Sequence, residues 1–235
     1  MKINSITQKY VPATSNVVKD KNKEHKNNAI VAAASLAGSV ASVLAISKIT
    51  KGKFSFDVFD PEASLKSFSK IAAVSGASIV GGLLGGFATS ENKEEKEFKA
   101  KESLFQFTKI IFPTAIVMAT LKGMQKAKFN ETASKILSPI IGIGIGMPLA
   151  QKTSEKISKK AFGDDAQKMP ERKIKIKDYL VHVDDLLTLL IVTGSKFATA
   201  IQADKILPLI YAYCGYESGT KSSNDAKEEK TDKLC

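Results

Sequence analysis

Few side chains in this sequence are suited to catalysis or to holding a metal. There are two histidines, two cysteines and a single arginine, Arg172. The densest constellation is His182-Val183-Asp184-Asp185, an imidazole and two carboxylates within one helical turn, and Cys214 is the one cysteine besides the last residue, Cys235. A catalytic metal centre needs three protein ligands in a fixed geometry, oriented by outer hydrogen bonds. Here the two aspartates sit where they cap a leucine-rich helix, so no metal ligand or catalytic residue is assigned. His25 stands among lysines in a polar tail. There is no serine elbow, no Cys-His pairing pattern and no phosphate loop, so the chain reads as non-enzymatic and without a cofactor. Gly142-Ile143-Gly144-Ile145-Gly146 begins like a dinucleotide fingerprint. Its last glycine comes one position too early, and Met147-Pro148 stands where a helix should open.

The remaining residues are organised by charge. The chain has 235 residues, 35 basic and 24 acidic, for a formal net charge of +11. Its apolar residues are gathered into blocks and its charges into the gaps, which excludes a uniformly disordered polyelectrolyte. Asn27 to Ser47 gives 21 residues without a charge, and Ile71 to Ser90 gives 20. About 20 helical residues cross a bilayer core. Ile136 to Gln151 gives 16 more, and Ser103 to Leu121 is interrupted once, by Lys109, placed near enough to the start to snorkel. The expectation is an all-α, multi-pass membrane protein of about four transmembrane helices. Trp is absent, so interfacial positions fall to Phe54, Phe56, Phe59, Phe105 and Phe107.

Small residues recur every fourth position within these blocks. They are Ala29, Ala33, Ala37, Ala41 and Ala45 in the first, and Ala73, Ala77, Gly81 and Gly85 beside Ser78, Gly82 and Gly86 in the second. The last block has Ser134, Ser138, Gly142, Gly146 and Ala150. Such strips let helix backbones approach closely, which is a principal means of packing in lipid. Packing within one chain is the favoured reading; a glycine zipper joining copies into a homo-oligomer is the other. Ser69-Lys70-Ile71 is echoed by Ser134-Lys135-Ile136, and Thr89-Ser90-Glu91 by Thr153-Ser154-Glu155, which points to a duplicated helical hairpin.

The division expected is a disordered polar tail over 1–26, a four-helix membrane domain over 27–161, an amphipathic C-terminal segment over 162–216 and a disordered tail over 217–235. Within the third part, Lys173 to Lys177 alternates like an edge strand, and a helix from about Asp204 stops at Cys214-Gly215. Asp60-Pro61-Glu62 and Asn130-Glu131 read as helix starts. The run Glu91 to Glu97 reads as a solvated helical connector supported by Glu95–Lys99 and Glu97–Lys101 pairs.

With four spans, the side carrying both termini holds 20 basic residues and the other side 9, so both termini are expected in the cytoplasm. One arginine and no tryptophan argue against nucleic acid as a partner. The lysine-rich segments suit anionic lipid headgroups. The leading expectation is a structural or interaction role in the bilayer. The alternatives are a small transporter or channel built from two hairpins, and a soluble or conditionally membrane-inserting helical protein.

Overall fold

The structure is a computed structural model and describes residues 14–56, 58–59, 64–163, 200 and 202–221. Among these residues all regular structure is helical: α1 (Thr14–Lys51), α2 (Leu65–Thr89), α3 (Lys93–Lys126), α4 (Glu131–Phe162) and α5 (Ala203–Thr220). The first four are long and apolar enough to cross a membrane. The His182 constellation, the Asp60-Pro61-Glu62 start and the Lys173–Lys177 segment lie outside the described residues.

The helix boundaries have local causes. Gly52 ends α1 with φ +69°, a left-handed conformation that costs a glycine little, and its N–H bonds back to the Lys48 carbonyl at 3.0 Å. Ser64 caps α2 by accepting from the Ser67 N–H at 3.1 Å. Asn92 caps α3 through the Glu95 N–H at 2.8 Å, and Asn130 caps α4 through the Ala133 N–H at 3.0 Å. Pro113 sits inside α3, and Pro139 and Pro148 inside α4, with each helix continuing past them.

The helices pair as two antiparallel hairpins built on small residues. A Cβ placed on Gly38 would strike the Ala77 carbonyl, and one on Gly81 the Ala34 carbonyl. A Cβ on Gly85 would crowd the Val31 backbone. In the second hairpin, Gly142 makes room for Val117 of α3 and Gly146 for Pro113. Gly142 and Gly146 follow Ala77 and Gly81 by 65 residues each, so corresponding positions of the two hairpins make corresponding contacts. Ser138 is fully buried on the same helix.

α5 completes the bundle. It lies antiparallel to α1: Ser39 Oγ donates to the Pro208 carbonyl at 2.6 Å and Ser35 Oγ to that of Ala212 at 2.5 Å. It lies parallel to α2, with Gly215 against Gly82 and Gly219 against both Gly82 and Gly86. Leu207, Tyr211 and Cys214 enter the apolar core with Val43, Val58, Phe59, Ile71 and Val74. Phe59 meets Tyr211 edge-on, with ring centres 6.3 Å apart.

Several expectations are corrected by this arrangement. Residues 14–26, read as part of a disordered tail, belong to α1. The C-terminal helix is a packed member of the bundle and continues through Gly215 to Thr220, beyond the expected stop. Its glycines are points of contact with α2, which outweighs their weak helix propensity. The strip containing Ala33, Ala37 and Ala41 faces outward; the inward face of α1 is Val31, Ser35, Ser39, Val43 and Ser47. Serine wins the interior because its hydroxyl can bond carbonyls of the neighbouring helix. Phe54 and Phe56 are exposed as interfacial residues would be, whereas Phe59 and Phe105 are buried.

Candidate functional site

The residues of most chemical interest lie on one face of α3. Glu95, Lys99, Glu102, Gln106 and Lys109 are spaced alternately four and three apart, which puts them in line along a helix. That line faces the interior. Lys99 is 4% exposed, Glu102 7%, Gln106 1% and Lys109 2%. Burying ions away from water is costly unless each is paired and hydrogen-bonded.

Lys99 is held at the C-terminal end of α2. Its ammonium donates to Ser90 Oγ at 2.9 Å and to the Gly86 carbonyl at 3.3 Å, and pairs with Glu95 at 2.8 Å. A cation suits this place, because the last carbonyls of a helix lack intrahelical donors and carry the negative end of its dipole. Lys99 of α3 thus caps the C-terminal end of α2.

Glu102 joins α3 to the end of α5. Its Oε1 accepts from Gln106 Nε2 at 2.8 Å and from the Lys221 ammonium at 2.8 Å. Among the described residues, Gln106 Oε1 and Ser103 Oγ are buried without a hydrogen-bond partner, as are Ser78 Oγ and Ser138 Oγ elsewhere in the bundle. At the same end, Lys23 of α1 donates to Glu91 in the α2–α3 turn. That hydrogen bond, and the charge of the same ammonium, hold the Glu91 carboxyl below its ordinary value. The contribution of this exposed contact is present above the ordinary carboxylate range and is lost as pH falls through the lowered value. Lys23 of α1 and Lys221 after α5 therefore both lie at the α2–α3 end of the bundle.

The sequence reading passed over this seam. It placed Lys109 near a helix end, yet α3 begins at Lys93, which makes Lys109 a mid-helix residue inside the bundle. The Glu91–Glu97 run is exposed to half-exposed and helical from Lys93, and the expected Glu95–Lys99 pair forms at 2.8 Å, but its lysine end is buried in the bundle. Glu97 pairs with Lys93 at 3.5 Å, and Lys101 lies over the Phe162 ring at 5.2 Å. The four-three spacing of polar residues in an apolar helix was the available signal.

The small-residue positions singled out from sequence divide four ways. Ala77, Gly81 and Gly85 face α1, Gly82 and Gly86 face α5, and Gly142 and Gly146 face α3, whereas Ala33, Ala37 and Ala41 face outward. Among the described residues no cluster of three or more His, Cys, Asp or Glu side chains is placed to hold a metal. Comparison with protein-family models, curated proteins and solved structures gives no match to this chain.

Proposed function

We propose that this chain is an integral, multi-pass membrane protein with a structural or interaction role, closed by its own small-residue faces. One observation carries the reading: large apolar side chains stand on the outside of the bundle while ions are enclosed together with its apolar core. Large apolar side chains such as Val80, Leu84, Ile136, Ile140 and Ile145 are on its surface, while Lys70, Lys99, Glu102 and Lys109 are inside. Lipid accommodates the first group and penalises ions that face it, which reverses the distribution that water selects. The partners proposed are the bilayer itself and, for the lysine-rich ends, anionic headgroups.

Both termini are proposed to lie on the cytoplasmic side. The basic bias supports this, as does the meeting of α1, α5 and the α2–α3 turn at one end through Lys23–Glu91 and Lys221–Glu102. Single cysteines at Lys26→Cys, Lys53→Cys and Lys221→Cys, in a Cys214→Ala, Cys235→Ser background, test this with a membrane-impermeant maleimide. Positions 26 and 221 are expected to react in inverted vesicles and position 53 in right-side-out vesicles. Labelling of 26 and 221 from opposite faces contradicts the topology.

A second reading, transport or conduction by two repeated hairpins, is favoured by the buried seam on α3. Ionisable residues inside a membrane bundle commonly mark a pathway.

A further inference from the structure

We propose that the α3–α4 turn is a docking surface for an anionic phospholipid, with the phosphate among Lys122, Lys126 and Lys128 and the glycerol against Phe129. The proposal rests on the membrane reading and deepens it, by naming where and through which side chains a charged lipid is held. Lys122, Lys126 and Lys128 are exposed at the end of α3 and in the turn. Between Leu121 and Lys135 the single acid is Glu131, and it is already paired with Lys135 at 2.7 Å. The turn therefore offers these three ammonium groups no second carboxylate. Like charges held close together repel, and an anion placed among them relieves that repulsion.

The apolar part of the surface is held by backbone. The Ala127 N–H bonds to the Gly123 carbonyl and the Lys128 N–H to that of Gln125, both at 3.0 Å, and the Phe129 N–H returns to Met124 at 2.9 Å. Lys128 takes a left-handed φ of +55°, and Asn130 then opens α4 as its cap. Phe129, fixed at this tip, is 51% exposed. Further along α4, Ile136 and Ile140 are also exposed, one turn apart on the same side. The uncharged block of α4 begins at Ile136, which sets the turn at the edge of the hydrocarbon core. There a lysine stem lies along apolar surface while its ammonium reaches the phosphates, and an acyl chain can follow Ile136 and Ile140 downward. The α1–α2 turn has related features, with Lys48 over the exposed Phe54 ring at 5.5 Å. Its sequence also carries Asp57, Asp60 and Glu62, so its charge balance favours an anion less.

The sequence contains no tryptophan, so Phe129→Trp gives the full-length chain a single indole fluorophore at the turn. The purified variant is reconstituted in phosphatidylcholine vesicles doped with brominated phosphatidylglycerol or, separately, with the same small fraction of brominated phosphatidylcholine. Bromine quenches the indole only at close range. A lysine beside an anionic lipid is worth about fivefold in affinity, so the anionic lipid is expected to quench about tenfold more effectively or better. Lys122→Gln, Lys126→Gln and Lys128→Gln together should bring the ratio close to one, whereas three arginine replacements, which keep the charge, should preserve it. Equal quenching by the two lipids overturns the proposal, as does a preference that survives the three glutamine replacements. So does a preference abolished by inorganic phosphate at constant ionic strength, which would make free phosphate the occupant. Ile145→Trp separates this proposal from the membrane reading, because Ile145 is exposed on the side of α4 opposite Ile136. Quenching there by both lipids alike, without a preference at the turn, overturns the lipid site alone. No quenching at either position overturns the membrane reading and the lipid site with it.

Discussion

Gly82→Leu is expected to expel α5 from the bundle. A Cβ on Gly82 would occupy the space of the Gly215 carbonyl and approach the Cα behind it, and both belong to helical backbone that no rotamer change can move. The helices cannot part locally either. Ser35 and Ser39 tie α5 to α1, and Gly219 sits against Gly82 and Gly86 one turn further on. Overpacking typically costs about 1–3 kcal/mol and occasionally more, and the rigid backbone on both sides puts this case at the upper end. Undocking uncovers Cys214, which is 1% exposed. In a Cys235→Ser background, maleimide labelling of Cys214 should therefore accelerate about a hundredfold, since each 1.4 kcal/mol of opening is worth tenfold. Gly144→Leu and Ala37→Leu are the controls, because nothing lies within 4 Å of a Cβ on Gly144 and Ala37 faces outward. Their labelling rates should stay within a factor of about two of the parent, as for ordinary surface changes. Equal rates for Gly82→Leu and its controls would mean that α5 does not occupy this groove.

The second large effect separates lipid from water as the surrounding solvent. Val80 is 54% exposed near the middle of the uncharged block in α2, and Ile145 is 53% exposed in α4. Aspartate at either place costs about 2.5–3.5 kcal/mol if it must face the bilayer centre. Val80→Asp and Ile145→Asp should each cut the membrane-integrated fraction by about a hundredfold, read from the chain recovered in membranes after equal expression. On a soluble bundle the same changes replace an exposed apolar side chain by a solvated one. Unchanged folding with improved solubility would therefore favour the soluble alternative.

What the sequence revealed and what it hid follow from different physics. The four long helices were legible because an uninterrupted run of uncharged residues is a local property, fixed by bilayer thickness whatever the helices touch. Asn130 as a cap was legible for the same reason. The inward face of α1 was not. Alanine and serine are both small, and the choice between them depends on α5, more than 160 positions downstream by the pairing of Ser39 with Pro208. The full extent of α5 was hidden by Gly215, which locally signals a helix end and in three dimensions seats a helix against Gly82. The seam on α3 was visible as spacing but misjudged in direction. In water the charged face of a helix turns outward, whereas Glu95, Lys99 and Glu102 turn inward to meet Ser90, Gln106 and Lys221.

The most direct test of the central claim is alkaline carbonate extraction of membranes from cells expressing the chain with a tag ahead of α1. High pH strips peripheral proteins and leaves spanning helices in lipid. The account predicts that the protein stays in the pellet and is released only by detergent. Recovery in the carbonate supernatant would contradict it, and the exposed faces of α1, α2 and α4 would then have to be covered by something other than lipid.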